Sequence, residues 1–313
     1  MTTDLQLAHE APPRETVLTI GVFDGVHLGH QKLLRQVQEV AARLGHLSCV
    51  LTFANHPRPI ISPQLRVPLI TTLQQRQELL KAQGLDLVLT VPFTWELSLL
   101  PARSFVSLLM EQLKMRTLVV GPDFALGHQR QGNVTTLRRL GQEMGFSLQE
   151  VEPLKLSSEV VSSSAIRQAI AQGDLERVAR MLGRSFTLRG RVIPGVSRGQ
   201  DLGFPTANLQ MDPQQTLPRD GIYATWAHVG GQRWMAATNI GVRPTFSAGG
   251  ERLVEAFILD FDGDLYRQEL DLEFVRRLRD ELPFPSPREL VEQMHRDVEQ
   301  ARAILSHPTA RAR

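Results

Sequence analysis

The sequence predicts a two-domain protein of mixed class: an α/β domain with a parallel sheet, then an all-β domain formed by an antiparallel barrel with a terminal helix. The chain has 313 residues, which suggests about two domains, and its 42% hydrophobic and 22% charged residues suffice for two cores. From about residue 17 to 182, apolar strand-like runs alternate with amphipathic helical runs. Beyond residue 184 the runs become short, with Gly and Pro between them.

The first half is predicted to form a parallel sheet with helices on both faces. Its first strand-like run, residues 16–23, precedes a segment in which apolar residues recur at helical spacing: Leu33, Leu34, Val37, Val40, Ala41 and Leu44. Further runs of the two kinds occupy residues 47–53, 72–84, 85–93, 102–114, 115–121 and 133–145. Strands separated by helices of this length favour parallel crossover units. In such open sheets the ligand lies beyond the carboxyl ends of the strands.

The second half is predicted to form the barrel. Residues 162–184 have a helical pattern with Gly173 and Gly183 as stops, and the strand-like runs that follow are 186–195, 221–230, 232–241 and 252–261. Ser286, Pro287 and Glu289 form a capping box that predicts a last helix. Its apolar stripe, which we expect to dock on the barrel, consists of Leu290, Met294, Val298, Ala301 and Leu305. The predicted domains are residues 15–183 and 184–308.

Composition narrows the class of protein. The formal net charge is only +2, although the pI is near 9.0, and this balance is too mild for a dedicated nucleic-acid binder. The single cysteine, Cys49, excludes an internal disulfide and fits a reducing compartment, and we expect it to be a small core residue. Residues 1–16 lack the pattern of a signal peptide, and no apolar run approaches the ~20 residues of a membrane span. A cytoplasmic protein is therefore expected.

The turn after the first strand, within "TIGVFDGVHLGHQKLL" (19–34), carries His27 and His30. Lysine never follows glycine in this chain and no two glycines are two apart, which excludes a Walker loop and a dinucleotide fingerprint. The spacing places both imidazoles on one side of the first helical turn, where they could donate hydrogen bonds to a phosphate. The alternative is that one caps the helix and the other is a zinc ligand or a surface residue. A third His or Cys at metal spacing is lacking, which weakens the zinc alternative.

Four segments of the first half resemble one family. "GVFDGVHLGH" (21–30) is similar to the H-x-G-H signature of nucleotidyltransferases. Its longer form resembles the bacterial bifunctional riboflavin kinase/FMN adenylyltransferase (FAD synthetase) family. That family's S-S-T-x-I-R motif is matched by residues 162–167, with serine in place of threonine. "TFANHPRPI" (52–60) and "GPDFALGHQRQG" (121–132) match in the same order. The resemblance implies a Rossmann-like domain that adenylylates FMN.

The resemblance also implies the residues that act there. His27, His30 and Arg167 would be catalytic, and the ATP-binding residues would be Gly21, Phe23, Asp24, Gly25, His27, His30, Ser163, Ser164 and Arg167. The flavin contacts would be Asn55, His56, Pro57 and Asp123. Two simpler interpretations stay open: the serines could be a plain helix cap beside a solvated arginine, and Asp123 could belong to a turn.

A second resemblance covers "GVSRGQDLGFPTANLQ" (195–210), which matches the riboflavin kinase stretch with the core G-F-P-T-A-N. It implies a Greek-key barrel in which Gly195, Gly199, Gly203, Thr206 and Asn208 bind ATP. Thr206 and Asn208 would supply oxygens to Mg²⁺, which keeps waters and phosphates as its other ligands. Gln200 stands where the family usually has arginine. The alternative is a surface loop punctuated by Pro and Gly.

Glu255 is the predicted general base of the kinase step. By strand parity it shares a face with Leu253, Phe257, Leu259 and Phe261, and burial of that face would favour a raised pKa. The alternative is an edge-strand glutamate that reaches water. "NIGVRPTF" (239–246) also matches a family segment near the flavin, so Asn239 and Thr245 are predicted flavin contacts that could instead be turn residues.

The predicted function is therefore bifunctional. Riboflavin is phosphorylated to FMN, and FMN is adenylylated to FAD with release of pyrophosphate, with Mg²⁺ and ATP as co-substrate in both steps. We expect these small molecules as partners, neither nucleic acid nor membrane, and a monomer or weak homo-oligomer. One rival is a nucleotidyltransferase for another phosphate whose barrel only binds. Another is an RNA-binding barrel, which the 6% aromatic content disfavours because such a barrel stacks bases on aromatic rings.

Overall fold

The computed structural model describes residues 12–195, 203–242 and 252–307. The chain forms two compact units. The first contains Met1–Pro68 and Leu73–Ser163, and the second contains Leu69–Thr72 and Ser164–Arg313. This division falls after the first residue of the helical segment at 163–182, whereas the sequence predicts a domain boundary at residue 184. The limits of the two functional domains stay a prediction.

The first unit is built on a five-stranded parallel sheet with the strand order β3-β2-β1-β4-β7. These strands are β1 Thr16–Gly21, β2 Leu47–Phe53, β3 Leu87–Val91, β4 Met115–Val120 and β7 Ser147–Glu150. Two short antiparallel pairs complete the strands, namely β5 Ala125–Leu126 with β6 Gly132–Asn133, and β8 Lys155–Leu156 with β9 Glu159–Val160.

Helices cover both faces of this sheet. They are α1 Leu28–Leu44, α2 Pro57–Ile61, α3 Leu73–Lys81, α4 Trp95–Leu99, α5 Ala102–Leu113 and α6 Val134–Met144. Val37 of α1 packs with Val17, and Leu80 of α3 packs with Val50. The core on the other face joins alternate strand residues to α5 and α6. The predicted parallel α/β architecture is confirmed.

Cys49 lies in that core. Its side chain has no exposure to solvent, and burial raises the pKa of its thiol to about 12. A thiol with so high a pKa stays protonated at neutral pH and is a poor nucleophile. The prediction that Cys49 is a core residue is confirmed.

The second unit contains a closed antiparallel barrel with the strand order β10-β11-β14-β13-β12-β15. The strands are β10 Phe186–Ile193, β11 Thr206–Met211, β12 Gly221–Val229, β13 Gln232–Val242, β14 Arg252–Ile258 and β15 Glu269–Arg279. Two helices precede them, α7 Ser163–Gln172 and α8 Leu175–Leu182. Alternate residues such as Leu188, Leu209, Val254 and Phe274 are buried, and they fill the interior. The predicted antiparallel barrel is confirmed.

The last helix, α9 Pro287–Ser306, begins at the predicted capping box, where the Ser286 hydroxyl accepts a hydrogen bond from the Glu289 amide. Ala301 and Leu305 pack on the outside of the barrel against Ala224, which confirms the docking of this helix. The same face buries a carboxylate that the apolar stripe does not predict. Asp297 is 4% exposed and makes two hydrogen bonds, of 2.8 and 2.6 Å, with the guanidinium of Arg279. No helix in the described part of the chain is long and apolar enough to cross a membrane.

Candidate active sites

The turn between β1 and α1 lies at the carboxyl edge of the parallel sheet. Gly21 at the end of β1 pairs with Thr52 near the end of β2. The Thr52 hydroxyl donates to the carbonyl of Val22 at 3.0 Å. The residues that follow β1 and β2 therefore begin side by side, at the edge where open sheets of this class bind ligands.

The two histidines of this turn are in contact. Their rings stack with centroids 3.5 Å apart and planes 17° apart, which confirms that both lie on one side of the first helical turn. His27 is the N-cap of α1, because its Nδ1 accepts a hydrogen bond of 3.2 Å from the His30 amide. A ring that accepts at Nδ1 carries its proton on Nε2 when neutral. The capping role that the sequence left open is thus real, and it fixes His27 as an Nε2–H donor.

Gly29 is needed between the two histidines because His27 folds back over it. A Cβ at residue 29 would lie 3.1 Å from Cε1 and Nδ1 of His27 and 3.2 Å from the carbonyl oxygen of Val161. A side chain at residue 29 would therefore require the His27 ring and the Val161 carbonyl to shift by a few tenths of an ångström. The glycine in H-x-G-H therefore has a packing cause that its sequence position alone does not show.

Phe23 sets the other side of the turn. Its φ of 52° lies in the left-handed region, which is uncommon for an aromatic residue, and its side chain is 2% exposed. The ring lies against Gly21 and meets His30 edge-on, with centroids 5.1 Å apart. Backbone strain of this kind persists only where surrounding contacts enforce it, and it clusters at functional sites.

Asp24 and Gly25 complete the turn, and Asp24 is buried. The Ser163 hydroxyl donates to the Asp24 carbonyl at 3.0 Å, so the structure brings the first residue of α7 to the histidine turn. Ser164 and Arg167 follow on α7 and belong to the second unit. Their role at ATP stays a prediction.

The predicted flavin residues of the first unit lie in two places. The side-chain amide of Asn55 makes two hydrogen bonds with the backbone of Phe93. Its Nδ2 donates to the Phe93 carbonyl at 2.9 Å, and its Oδ1 accepts from the Phe93 N–H at 2.8 Å. His56 caps α2 and Pro57 is its first residue. Asp123 is exposed in a turn, where its carbonyl accepts from Arg130. These are structural roles for Asn55 and Asp123, and flavin contact stays a prediction.

In the barrel, three predicted residues form one row across neighbouring strands. Asn208 of β11 pairs with Glu255 of β14, and Glu255 pairs with Asn239 of β13. Directly opposite residues in an antiparallel sheet hold their Cβ atoms about 4.5–5.5 Å apart. Thr206 lies two residues before Asn208 and therefore on the same face. We call Asn208, Glu255 and Asn239 the kinase row, after the kinase step for which Glu255 is the predicted base.

The kinase row lies on the outer face of the barrel. Leu253, Glu255 and Phe257 are partly buried, whereas Val254, Ala256 and Ile258 are buried in the interior. Of the predicted face, Leu259 is buried and Phe261 is partly buried like Leu253 and Phe257, so the condition of a buried face is met only in part. The alternative of an edge-strand glutamate is also wrong, because β14 lies between β11 and β13 in a closed barrel.

Gly195 contacts this row, and Phe204 packs on the neighbouring residue Phe257 of the same strand face. A Cβ at Gly195 would collide with the Asn208 side chain, 2.6 Å from its Cγ, so these two residues are in direct contact. Gly203 is exposed just before Phe204, whose buried ring meets Phe257 and His295 of α9 edge-on at 5.1 and 4.9 Å. Phe204 is not among the predicted site residues, although its place inside the motif is a signal. Three predicted positions lie outside the described residues: Gly199, Gln200 and Thr245.

Two family models match the chain. The FAD synthetase model covers residues 9–165 and the riboflavin kinase model covers residues 182–305. A Pseudomonas fluorescens protein named bifunctional riboflavin kinase/FMN adenylyltransferase is 38% identical over 294 residues, 94% of each chain. The chain belongs to this family.

Other similar proteins agree in length. The bifunctional riboflavin kinase/FMN adenylyltransferase of Escherichia coli K12 is 35% identical over 298 residues, 95% of each chain. A crystal structure described as a macrolide-efflux protein from Streptococcus pneumoniae has a TM-score of 0.86 at 28% identity, and the match covers 96% of this chain and 97% of that one. Membership of the bifunctional riboflavin kinase/FMN adenylyltransferase family confirms the predicted function and the prediction that the protein is a transferase. The match of a riboflavin kinase model to the second half argues against a barrel that only binds.

Proposed function

We propose that the two reactions are divided between the two units, with FMN adenylylation at the turn that carries His27 and His30 and riboflavin phosphorylation at the kinase row. The observation that supports this division most strongly is the assembly of each cluster within one unit. The stacked imidazoles stand at the carboxyl edge of the parallel sheet, and Asn208, Glu255 and Asn239 stand on adjacent barrel strands.

In the adenylyl transfer, a phosphate oxygen of FMN attacks the α-phosphorus of ATP and pyrophosphate leaves. The catalysis we propose is positioning and charge stabilisation, without a covalent enzyme intermediate. His27 donates from Nε2 and His30 from its ring to the phosphate oxygens on which charge develops. Two protonated rings with centroids 3.5 Å apart would repel each other, so this geometry disfavours a positive charge on both rings at once. Gly21, Phe23, Asp24 and Gly25 shape the turn, and Ser163, Ser164 and Arg167 are retained from the resemblance.

In the kinase step, Glu255 takes the proton from the 5′-hydroxyl of riboflavin as that oxygen attacks the γ-phosphorus of ATP, and ADP leaves. The neighbours of Glu255 in the register are amides, Asn208 on one side and Asn239 on the other. Each can form hydrogen bonds to a substrate without adding charge beside the base. We keep Asn239 as a flavin contact, together with Asn55, His56, Pro57 and Asp123 in the first unit.

The residues around Asn208 are compatible with Mg²⁺. Thr206 and Asn208 present a hydroxyl and an amide oxygen on one face of β11, and oxygen donors are what Mg²⁺ prefers. No group of three or more His, Cys, Asp or Glu among the described residues could hold a metal. We therefore propose that the protein supplies two oxygens and that ATP and water supply the rest. When bound, the ion neutralises charge on the transferred phosphoryl group. We also propose that the protein is cytoplasmic and that it is a monomer or a weak homo-oligomer.

The test is flavin turnover by the whole chain. Purified protein is incubated with riboflavin, ATP and Mg²⁺, and the flavins are separated over time. FMN is expected first and FAD second. Absence of both products would refute the proposal. FAD formed from added FMN, without any FMN from riboflavin, would mean that the barrel only binds. Salt-dependent RNA binding in place of turnover would favour the RNA-binding rival.

Gly195→Ala tests the contact between Gly195 and Asn208. The new Cβ would displace the Asn208 amide, so we expect the KM for ATP in riboflavin phosphorylation to rise about tenfold, the effect of about one lost hydrogen bond. FMN adenylylation by the same protein is the internal control and should not change. The double variant with Asn208→Ala should be no worse than Asn208→Ala alone, because both changes remove the same interaction. Additive losses would show that residue 195 acts without Asn208.

A further inference from the structure

A charged side chain of α3 is buried beside the first candidate site. Arg76 is 1% exposed, the largest side chain of the described residues to be so fully buried. Its Nη2 donates to the carbonyl of Phe53 at 2.6 Å and to that of Ala54 at 3.3 Å, and its buried Nε has no hydrogen-bond partner among the described residues. Arginine is seldom buried in this way unless it is paired. Apolar packing alone does not account for a guanidinium at this position.

The two carbonyls that Arg76 holds are at the end of β2. Phe53 is the last residue of that strand, and the Ala54 amide donates to the Val91 carbonyl at 2.8 Å. Asn55 comes next, and its side-chain amide is hydrogen-bonded to the backbone of Phe93. Arg76 thus anchors the chain immediately before the Asn55–Pro57 segment.

Arg76 also interacts with the histidine turn through charge. Burial lowers the pKa of the Arg76 guanidinium, and the negative charge of the buried Asp24 opposes this shift. Asp24 lies three residues before His27, and its backbone carbonyl accepts a hydrogen bond from the Ser163 hydroxyl. One cation therefore acts on the segments that follow both β1 and β2. The apolar pattern of α3 gives no sign of this, because an arginine between glutamines suggests a solvated face.

We propose that Arg76 is a positioning residue for FMN adenylylation, which fixes the end of β2, and with it the Asn55–Pro57 segment, relative to the neighbouring histidine turn. The inference rests on the proposed function of the first unit, in which ATP lies at the turn and FMN at the Asn55–Pro57 segment. Arg76 acts through these two segments and need not touch either substrate. A misplacement of about 1 Å between reacting groups can lower a rate about 100-fold, so a fixed separation matters.

The test compares Arg76→Met, which removes the charge, with Arg76→Lys, which keeps the charge on a side chain that is one bond shorter and lacks the planar guanidinium. Lys81→Met is the matched control, since it removes an exposed cation from the same helix. For Arg76→Met we expect kcat/KM for FMN adenylylation to fall about 100-fold, including a rise in the KM for FMN, and for Arg76→Lys a smaller fall of about tenfold. Lys81→Met should match the wild type. Riboflavin phosphorylation in the same chain, which we place in the second unit, measures the amount of protein with an intact barrel.

The KM separates positioning from stability. A variant that merely unfolds in part has fewer active molecules, so its kcat falls while its KM for FMN stays unchanged; that result would overturn the proposal. Wild-type kinetics for either Arg76 variant would do so too. If Arg76→Met fails to fold, Arg76→Lys decides alone by its KM. Combining Arg76→Lys with Asp24→Asn should cost less than the product of the two single losses, because the changes disturb one interaction. Failure of the wild type to make FAD from FMN would instead refute the proposed function.

Discussion

Replacing His30 with alanine is expected to lower FMN adenylylation about 100-fold or more, because removal of one preorganised donor to developing charge typically has this effect. The substitution removes the ring that stacks on His27 and meets Phe23. It keeps the backbone amide of residue 30, which is the group that His27 caps. The start of α1 should therefore survive, and the loss should be in kcat for FAD formation. Riboflavin phosphorylation by the same protein should be unchanged.

His46→Ala is the matched control for this loss of an imidazole. His46 precedes β2 at the opposite edge of the parallel sheet, where its Nε2 lies 3.0 Å from a carboxylate oxygen of Glu15. We expect its FAD formation to stay within about twofold of the wild type, as for most changes away from a site. Equal losses from His30→Ala and His46→Ala, with folding intact, would contradict the proposed site. Loss of both activities in His30→Ala would contradict the division between units.

Glu255→Gln should have the converse effect. Loss of a general base typically lowers a rate about 10²- to 10⁴-fold, and we expect a fall of this size in riboflavin phosphorylation. Glutamine has nearly the shape of glutamate, so the pairing of residue 255 with Asn208 and Asn239 should be kept. FMN supplied directly should still be converted to FAD at the wild-type rate. Measuring FMN formation from riboflavin, and FAD formation from FMN, on one preparation checks both statements.

Glu273→Gln is the control for charge on the barrel. Glu273 lies on β15, where its carboxylate pairs with Arg233 and His228 outside the kinase row. Exposed pairs of this kind contribute little to stability, about 0–1 kcal/mol, and the kinase rate should not change. If Glu255→Gln retains full kinase activity, Glu255 is not the general base, and the proposed role of the kinase row in riboflavin phosphorylation is wrong.

Much of the first unit was predictable because its residues act locally. The apolar spacing of α1 and the Val- and Leu-rich runs of β1 and β2 specify helix and strand without distant contacts. The histidine turn was recognisable because its chemistry is carried by adjacent residues. The stacking of the two rings, and which of the two histidines caps α1, were not predictable, since the sequence gives spacing but not ring orientation.

The second unit shows what local patterns miss. The sequence pattern does not predict β11, because its first residues belong to the G-F-P-T-A-N stretch, whose Gly and Pro indicate a loop. β15 was overlooked although Leu270, Leu272 and Phe274 alternate with charged residues, which is a strand signal. The kinase row joins three distant segments, and such a register is set by strand pairing that no single segment encodes. Arg76 and Asp297 were out of reach for the same reason, because tertiary contacts decide that a charged residue is buried.

The closure of the barrel restricts how the second unit can respond to its substrates. β11, β14 and β13 each have a neighbour on both sides, so separating them would break backbone hydrogen bonds along the whole ladder. The spacing of Asn208, Glu255 and Asn239 should therefore be the same before and after turnover. Riboflavin therefore cannot be admitted, nor ADP released, by a change in the separation of these strands. A substitution that slows product release without changing this spacing should leave the rate of the phosphoryl-transfer step unchanged.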